Sequence, residues 1–393
     1  MAKSWTVVSV YNRYRNRGGE DEVFEAEADL LTRHGCRVIP VTDQTPANTG
    51  FAGRVRLAVE AVWSRRWYEQ LATLLAREKP DIVHVHNCFP VISPAIYYAS
   101  RAAGVPVVQT VHNYRLICPN ALCFRDGHPC EDCVGKKFAW PAILHACYQE
   151  SRPASALVAA TTAIHHRWRT WTEQVDLYIA LTEFVRQRLI AGGWPAKKIV
   201  VKPNFVHPTP PVGTGDGDYA LYVGRLSTPK GIEPLLAAWQ RLNRAVPLKI
   251  IGDGPLQPLV TGHPAVEWLG RQPRERVIEW MRGARLLIAP SIWYETFGLI
   301  IIEAFAAGLP VIASNHGAMA ELVEHNRTGR LFRPGDPADL AAQVEWALAH
   351  PVEVAAMRRA ARAEFETKYT ADRNYEMLLA IYEQAHENSR HTH

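Results

Sequence analysis

Ser291-Ile292-Trp293-Tyr294-Glu295-Thr296-Phe297-Gly298-Leu299-Ile300-Ile301-Ile302-Glu303-Ala304-Phe305 follows the apolar run Arg285-Leu286-Leu287-Ile288-Ala289-Pro290 and ends against Gly308-Leu309-Pro310. The pattern reads as a buried strand, a loop and an apolar helix. It puts Glu295 in a loop at the carboxyl end of a strand, where α/β sheets bind ligands. Gly298 opens the helix, whose first N–H groups and positive dipole end suit a phosphate. Glu303 falls about one and a half turns inside that helix and can reach the same crevice. Two carboxylates around such a helix start point to a sugar nucleotide, with acids for the hydroxyls and amides for the diphosphate.

Strands alternate with helices on both sides of this stretch. Residues 5–10, 36–42, 81–86 and 105–111 read as strands, and 20–34, 71–79 and 96–103 as helices. A cysteine- and tryptophan-bearing insert interrupts the alternation over about 113–170, and strands resume at 176–181 and 198–201. Residues 203–217, rich in proline and glycine, read as a linker. A second series of strands follows at 219–223, 248–251, 285–290 and 310–314, with closing helices at 351–368 and 371–386. Repeated βαβ units mean parallel sheets. The expected fold is α/β: two Rossmann-like domains, 1–204 and 205–368, facing across a cleft, then a terminal segment 369–393.

The chain has 393 residues, 48% of them apolar and 21% charged, as expected of globular domains with sizeable cores. A net charge of +5 disfavours a dedicated nucleic-acid binder and is compatible with polyanionic small ligands or an anionic membrane surface. The amino-terminal apolar run is too short for a signal-peptide core, and no uncharged run approaches a membrane span. The expected location is the cytoplasm, where the seven cysteines would be thiols or metal ligands.

Gly18-Gly19 lies between the first strand and its helix, as a phosphate-approaching loop should, but it lacks the full G-x-G-x-x-G, and taken alone it reads as an ordinary tight turn. Gly224-Arg225-Leu226-Ser227-Thr228-Pro229-Lys230-Gly231 takes the same place in the second half, where Arg225 and Lys230 can converge on one diphosphate. Gly252-Asp253-Gly254-Pro255 and Trp268-Leu269-Gly270-Arg271 end further strands and read as base-binding loops or plain turns. His112 ends the strand before the insert and is a candidate to touch a transferred group, whereas His84 and His86 read as packing or loop-support residues.

With these motifs in place the chain resembles the family 4 retaining glycosyltransferases of GT-B fold, of the kind found in bacterial polysaccharide biosynthesis. The resemblance rests on G-R-L-S-T-P-K-G (Gly224 to Gly231), G-D-G-P (Gly252 to Pro255), E-x7-E (Glu295 and Glu303), E-L-V-E-H-N-R-T-G (Glu321 to Gly329) and R-P-G-D (Arg333 to Asp336), with Gly18-Gly19 and His112 in the first half. It implies a donor site in which Arg225 and Lys230 bind the diphosphate and Glu303 binds the ribose. Glu295, with the amides of Phe297, Gly298 and Leu299, would hold the sugar hydroxyls. Gly254 would line the donor pocket, Gly19 would approach the phosphates, and His112 would sit beside the sugar. It also implies an acceptor-binding first domain, a last helix crossing back to that domain, and front-face displacement without a catalytic metal.

Cys118, Cys123, Cys130 and Cys133 are spaced C-x4-C-x6-C-x2-C, with Cys147 fourteen residues further on. The C-x2-C knuckle suits structural zinc. Related bacterial transferases carry a similar run, which makes Cys118, Cys130, Cys133 and Cys147 the expected ligands, with Cys123 or His128 as substitutes and unligated thiols as the alternative. Trp140, Trp168, Trp171 and Trp194 with Lys136, Lys137, Arg152, Arg167 and Arg169 form one basic-aromatic stretch. Arg54, Arg56, Trp63, Arg65, Arg66 and Trp67 form another. Both have the composition of interfacial segments and suggest a lipid-linked saccharide acceptor at the inner face of a membrane. The expected function is retaining transfer from a nucleotide-diphosphate sugar to a saccharide or lipid-linked saccharide. A nucleotide-sugar epimerase or hydrolase, or a weakly active scaffold bearing zinc, are the alternatives.

Overall fold

The structure is a computed structural model and describes residues 4–14, 17–45, 50–243 and 245–390. The side chain of Arg54, read above, lies outside that set. Contacts divide the chain into a first unit, Met1–Leu122, Glu131–Lys202 and Asn374–His393, and a second, Cys123–Cys130 and Pro203–Arg373.

The first unit holds six parallel strands: β1 (Thr6–Arg13), β2 (Arg37–Gln44), β3 (Ile82–Asn87), β4 (Val107–Val111), β7 (Leu177–Ala180) and β8 (Ile199–Val201). Their order is β2-β1-β3-β4-β7-β8. Every residue of β3, β4 and β7 is buried, as strands covered on both faces require. Helix Gly19–Arg33 turns Val23, Phe24, Leu30 and Leu31 to this core and, on the same stripe, Glu27. The last helix, Ala371–Arg390, contributes Leu378, Ile381, Tyr382 and Ala385 to a cluster with Trp5, Val7, Leu31 and Ile82. Within the insert, β5 (Phe124–Arg125) and β6 (His128–Pro129) form a short hairpin, and Arg152–Arg167 is a regular helix capped by Ser151, which the motif reading had left unassigned.

The second unit has β9 (Ala220–Val223), β10 (Leu248–Ile251), β11 (Val266–Trp268), β12 (Leu286–Ala289), β13 (Val311–Ser314) and β14 (Gly329–Phe332). They are parallel in the order β11-β10-β9-β12-β13-β14, the dinucleotide-binding order, while the first unit has the order of flavodoxin-like sheets. Its core packs Leu235 and Trp239 with Leu248, Ile288, Leu340 and Val344. Because β10 and β12 lie on opposite sides of β9, the loops after β9 and β12 flank the switch point of the sheet, where such sheets bind ligands. Strand β14 was not expected; its four residues pair with β13. No helix among the described residues is long and apolar enough to cross a membrane.

Candidate active site

At the switch point of the second unit the two loops are tied together. The Ile292 amide donates to the Pro229 carbonyl at 2.9 Å. Gly231, at φ +73°, lets the first loop pass the end of β12 closely: a Cβ there would sit 1.9 Å from the Pro290 carbonyl oxygen. This brings Lys230 against Glu295, and Lys230 Nζ donates to Glu295 Oε1 at 2.6 Å. Ser291 Oγ donates to the same oxygen at 2.7 Å. The Lys230 ammonium also stands 5.6 Å from the centre of the Trp293 ring. Burial works to raise the Glu295 carboxyl, but Lys230 and then Ser291 outweigh it and hold the group below its ordinary value.

Gly298 caps helix Leu299–Ala306 with φ +94°, so the helix starts at the expected place. Phe297 turns its ring inward, 6.3 Å from the Tyr369 ring, which leaves only its backbone for ligand contact. Glu303, 7% exposed, lies one turn on and pairs with Arg274 at 3.1 Å, a partner the motifs did not indicate. Arg225 is exposed on the loop after β9, and Tyr222 donates to its carbonyl at 3.0 Å. Gly252 and Gly254 serve close backbone approach: Cβ atoms there would lie 2.0 Å from the Gly224 oxygen and 2.4 Å from the Leu226 oxygen. The Gly-Asp-Gly-Pro loop is therefore packed directly beside the Arg225 loop.

In the first unit, Gly18 caps helix Gly19–Arg33, and its N–H donates to Asp21 Oδ2 at 3.0 Å. A Cβ at either glycine would meet nothing within 4 Å, and neither has positive φ. Neither internal packing nor backbone strain requires these two glycines. His112 follows β4, is 8% exposed, and faces His86 with its Nε2 3.0 Å from His86 Nδ1. Both rings line an open pocket with Asn113, Arg115 and Trp171. Burial, then the neighbouring His86, holds the His112 imidazole well below its ordinary value, so it is neutral.

His84 and His86 do more than pack. Glu27 Oε1 lies 3.0 Å from His84 Nδ1 and 3.3 Å from His86 Nε2, although no ring N–H is well aligned on it. Glu27 Oε2 accepts from Lys202 Nζ at 3.1 Å, and Lys202 also donates to Asn374 Oδ1 at 3.0 Å. His84 further contacts Tyr382 Oη and Thr110 Oγ1, each at 2.8 Å. Glu27, His84 and His86 have the spacing of a metal site. The Lys202 ammonium already supplies the counter-charge, and both nitrogens of His84 and the Nδ1 of His86 are engaged by Tyr382, Thr110 and His112, so we assign no metal there. Glu27 and Lys202 escaped the motif reading. The signal was an acid in the apolar stripe Val23, Phe24, Leu30, Leu31.

Cys118 Sγ lies 3.0 Å from Asn120 Oδ1; the Cys130 amide donates to the Cys123 carbonyl across the hairpin at 2.8 Å; the Cys147 amide donates to Ala142. Cys118, Cys133 and Cys147 fall in the first unit, Cys123 and Cys130 in the second. Among the tryptophans read as interfacial, Trp171 and Trp194 are core residues, while Trp140 and Trp168 are 54% and 49% exposed. Arg66 and Trp67 are both tied to Asp43 Oδ2, at 2.5 Å and 3.1 Å.

The profile for "Glycosyltransferase Family 4" matches residues 17–209, and that for "Glycosyl transferases group 1" matches residues 217–350. A glycogen synthase of Mycobacterium tuberculosis is 28% identical over 324 residues, covering 77% of this chain and 69% of the relative. A D-inositol 3-phosphate glycosyltransferase of Jonesia denitrificans is 26% identical over 422 residues, covering 98% and 88%. The crystal structure of Alr3699/HepE of Anabaena in complex with UDP superposes with a TM-score of 0.67 at 18% identity, covering 95% of this chain and 98% of that one.

Proposed function

The chain belongs to the family 4 glycosyltransferases of GT-B fold, and from that premise we propose that it transfers a sugar, with retention, from a nucleotide-diphosphate sugar to a saccharide or lipid-linked saccharide. The observation that carries this reading is the Lys230–Glu295 pair at the switch point, with Glu303 one helix turn away. Lys230 is a third exposed, so it can turn from Glu295 to a phosphate; Glu295 then accepts from sugar hydroxyls. Arg225 takes the other phosphate oxygens, Glu303 the ribose hydroxyls, and the amides of Phe297, Gly298 and Leu299 the diphosphate or sugar. Gly254 allows the nucleotide to lie against backbone. The open space at Gly18 and Gly19 supports their role in approaching a phosphate. For His112 we propose contact with the transferred sugar.

In the reaction the acceptor oxygen attacks the anomeric carbon on the face from which the diphosphate departs. The carbon–phosphate-oxygen bond breaks, and the acceptor's proton passes to the departing phosphate. Charge growing on that group is what the enzyme stabilises, through Arg225, Lys230 and the start of helix Leu299–Ala306. No step requires a catalytic metal.

UDP and UDP-glucose are the ligands to try first, being those of the HepE structures. Glu303→Ala should weaken UDP binding in calorimetry, whereas Glu295→Ala should bind UDP nearly as before and lose transfer. Equal loss of binding in both would overturn the division of roles. Release of nucleotide only when an acceptor is present separates a transferase from an epimerase or hydrolase.

For the insert we propose one structural zinc on the thiolates of Cys118, Cys130, Cys133 and Cys147, with Cys123 as substitute. Metal analysis of the purified chain should give about one zinc per molecule, and its absence from the fully folded, active protein would exclude it. We also propose peripheral contact with an anionic membrane on its cytoplasmic side. Phe138, Trp140, Leu144 and Trp168 stand out from the insert beside exposed Lys136, Lys137, Arg152 and Arg169. Co-sedimentation with phosphatidylglycerol vesicles should be lost in Trp140→Ser/Trp168→Ser.

A further inference from the structure

The carboxyl ends of β12 and β13 lie side by side. The strands are parallel and pair Ala289 with Ala313, so Ser291 and His316 both follow closely on that pair. After β13 the chain turns sharply: the His316 amide donates to the Ser314 carbonyl at 2.9 Å, and His316, with extended backbone, caps helix Gly317–Leu322. The turn brings the imidazole to the loop after β12, where its Nε2 lies 2.9 Å from the Ser291 carbonyl oxygen. A carbonyl oxygen only accepts, so Nε2 carries a proton and donates it. The same ring meets the Tyr294 ring edge-on, with centres 5.6 Å apart.

The Glu295 loop is thus tied on both flanks at consecutive residues. On the β9 side the Ile292 amide donates to the Pro229 carbonyl, and on the β13 side the Ser291 carbonyl accepts from His316. Ser291 is 3% exposed, so water has little access to replace a lost donor at its carbonyl. Its side chain in turn donates to Glu295 Oε1. Lys230 donates to that same oxygen, but turns to a phosphate when the donor arrives, on the function proposed above. Ser291 stays on Glu295, and His316 holds its backbone.

We propose that His316 is a positioning residue: by holding the Ser291 carbonyl it keeps Glu295 aimed at the hydroxyls of the transferred sugar after Lys230 has turned away. The aim at sugar rests on the role given to Glu295 above; the tie between His316 and the loop does not.

The test compares the full chain with two variants. His316→Phe keeps a ring against Tyr294 but has no N–H, and His316→Gln carries an amide that can donate in place of Nε2. Hydrogen exchange read by mass spectrometry should show residues 291–296 exchanging about tenfold faster in His316→Phe, the worth of one hydrogen bond, with β9 and β10 unchanged. His316→Gln should stay within about twofold of the wild type. In calorimetry both variants should bind UDP as the wild type does, while UDP-glucose should bind about tenfold more weakly to His316→Phe alone. Unchanged loop exchange in His316→Phe would overturn the tie, and so would a His316→Gln loop as loose as that of His316→Phe. Faster exchange spread equally over β9 and β10 would make His316 a general support of the unit and overturn the proposal as well. A loosened loop with unchanged UDP-glucose affinity would overturn the positioning role. A wild-type chain that does not bind UDP-glucose would count against the donor reading, while the exchange would still decide the tie.

Discussion

Lys202 and Glu27 in the first unit expose 2% and 3% of their side chains, whereas the cations facing Glu295 and Glu303 in the second, Lys230 and Arg274, expose 32% and 38%. All three acids are buried; the cations differ. In the first unit both members of the pair have left water, and the hydrogen bond that Lys202 donates to Asn374 and the contacts of Glu27 to His84 and His86 close the centre. In the second unit the acid is enclosed but its cation reaches solvent and can be exchanged for a ligand's hydroxyl or phosphate. An enclosed pair serves the fold, and a pair open on the cation side serves binding.

The sharpest way to break this contrast is to remove one cation from each unit. Lys202→Met leaves Glu27 buried without its counter-ion and should cost about 3–5 kcal/mol of stability in the first unit. Exchange protection of the β1 and β3 amides in urea measures it. Lys230→Met should cost less than about 1 kcal/mol of stability, because the pair is partly solvated. It should nevertheless lower transfer on the order of a hundredfold, as loss of a charge-stabilising donor does. A large stability loss from Lys230→Met, or a negligible one from Lys202→Met, would reverse the assignment.

Acid should act next. Burial, as the largest cause, lowers the His84 imidazole from its ordinary 6.5 to about 4. The unfolded chain therefore binds more protons than the folded one in that window, so stability is whole above pH 6.5 and falls as pH drops toward 4. The shift corresponds to at most about 3 kcal/mol. His112, lowered in the same direction, adds to it. The second unit has His316, lowered by burial against an opposing bond to the Ser291 carbonyl, and should decline less. Denaturation midpoints of the two units at pH 7 and 5 test the order; equal losses would count against a difference between the centres.

Much of this was legible in the chain. The strands preceding Lys230 and Glu295 are short apolar runs stopped by glycine or proline, which placed both residues at strand ends correctly. Glu303 followed from the helix period. Glu27 was also visible, as the one acid in the stripe Val23, Phe24, Leu30, Leu31, yet its partner was not: Lys202 lies 175 residues away and only the fold joins them. Arg274 likewise carries no local mark of its pairing with Glu303. Strand β14 escaped because Gly329-Arg330-Leu331-Phe332 is too short to show a period. Trp171 and Trp194 looked like surface anchors beside their arginines, but an indole packs as a large apolar body and both became core.

The smallest expected effect decides what Arg274 does. Its guanidinium is 38% exposed and lies 3.1 Å from Glu303, so Arg274→Ala should cost less than about 1 kcal/mol of stability. Two roles predict different binding. A guanidinium that orients Glu303 would be missed by the ribose, and UDP would bind at least tenfold more weakly. One that merely occupies Glu303 until the nucleotide arrives competes with it, so its loss removes a competitor and a supporting charge together. The exposure of Arg274 and its one ion pair among the described residues favour the second role. Arg274→Ala should therefore leave UDP affinity within about fivefold, or ~1 kcal/mol, of the wild type in calorimetry. A tenfold loss would move Arg274 into the binding site and close the second unit's centre on its cation side, like the first.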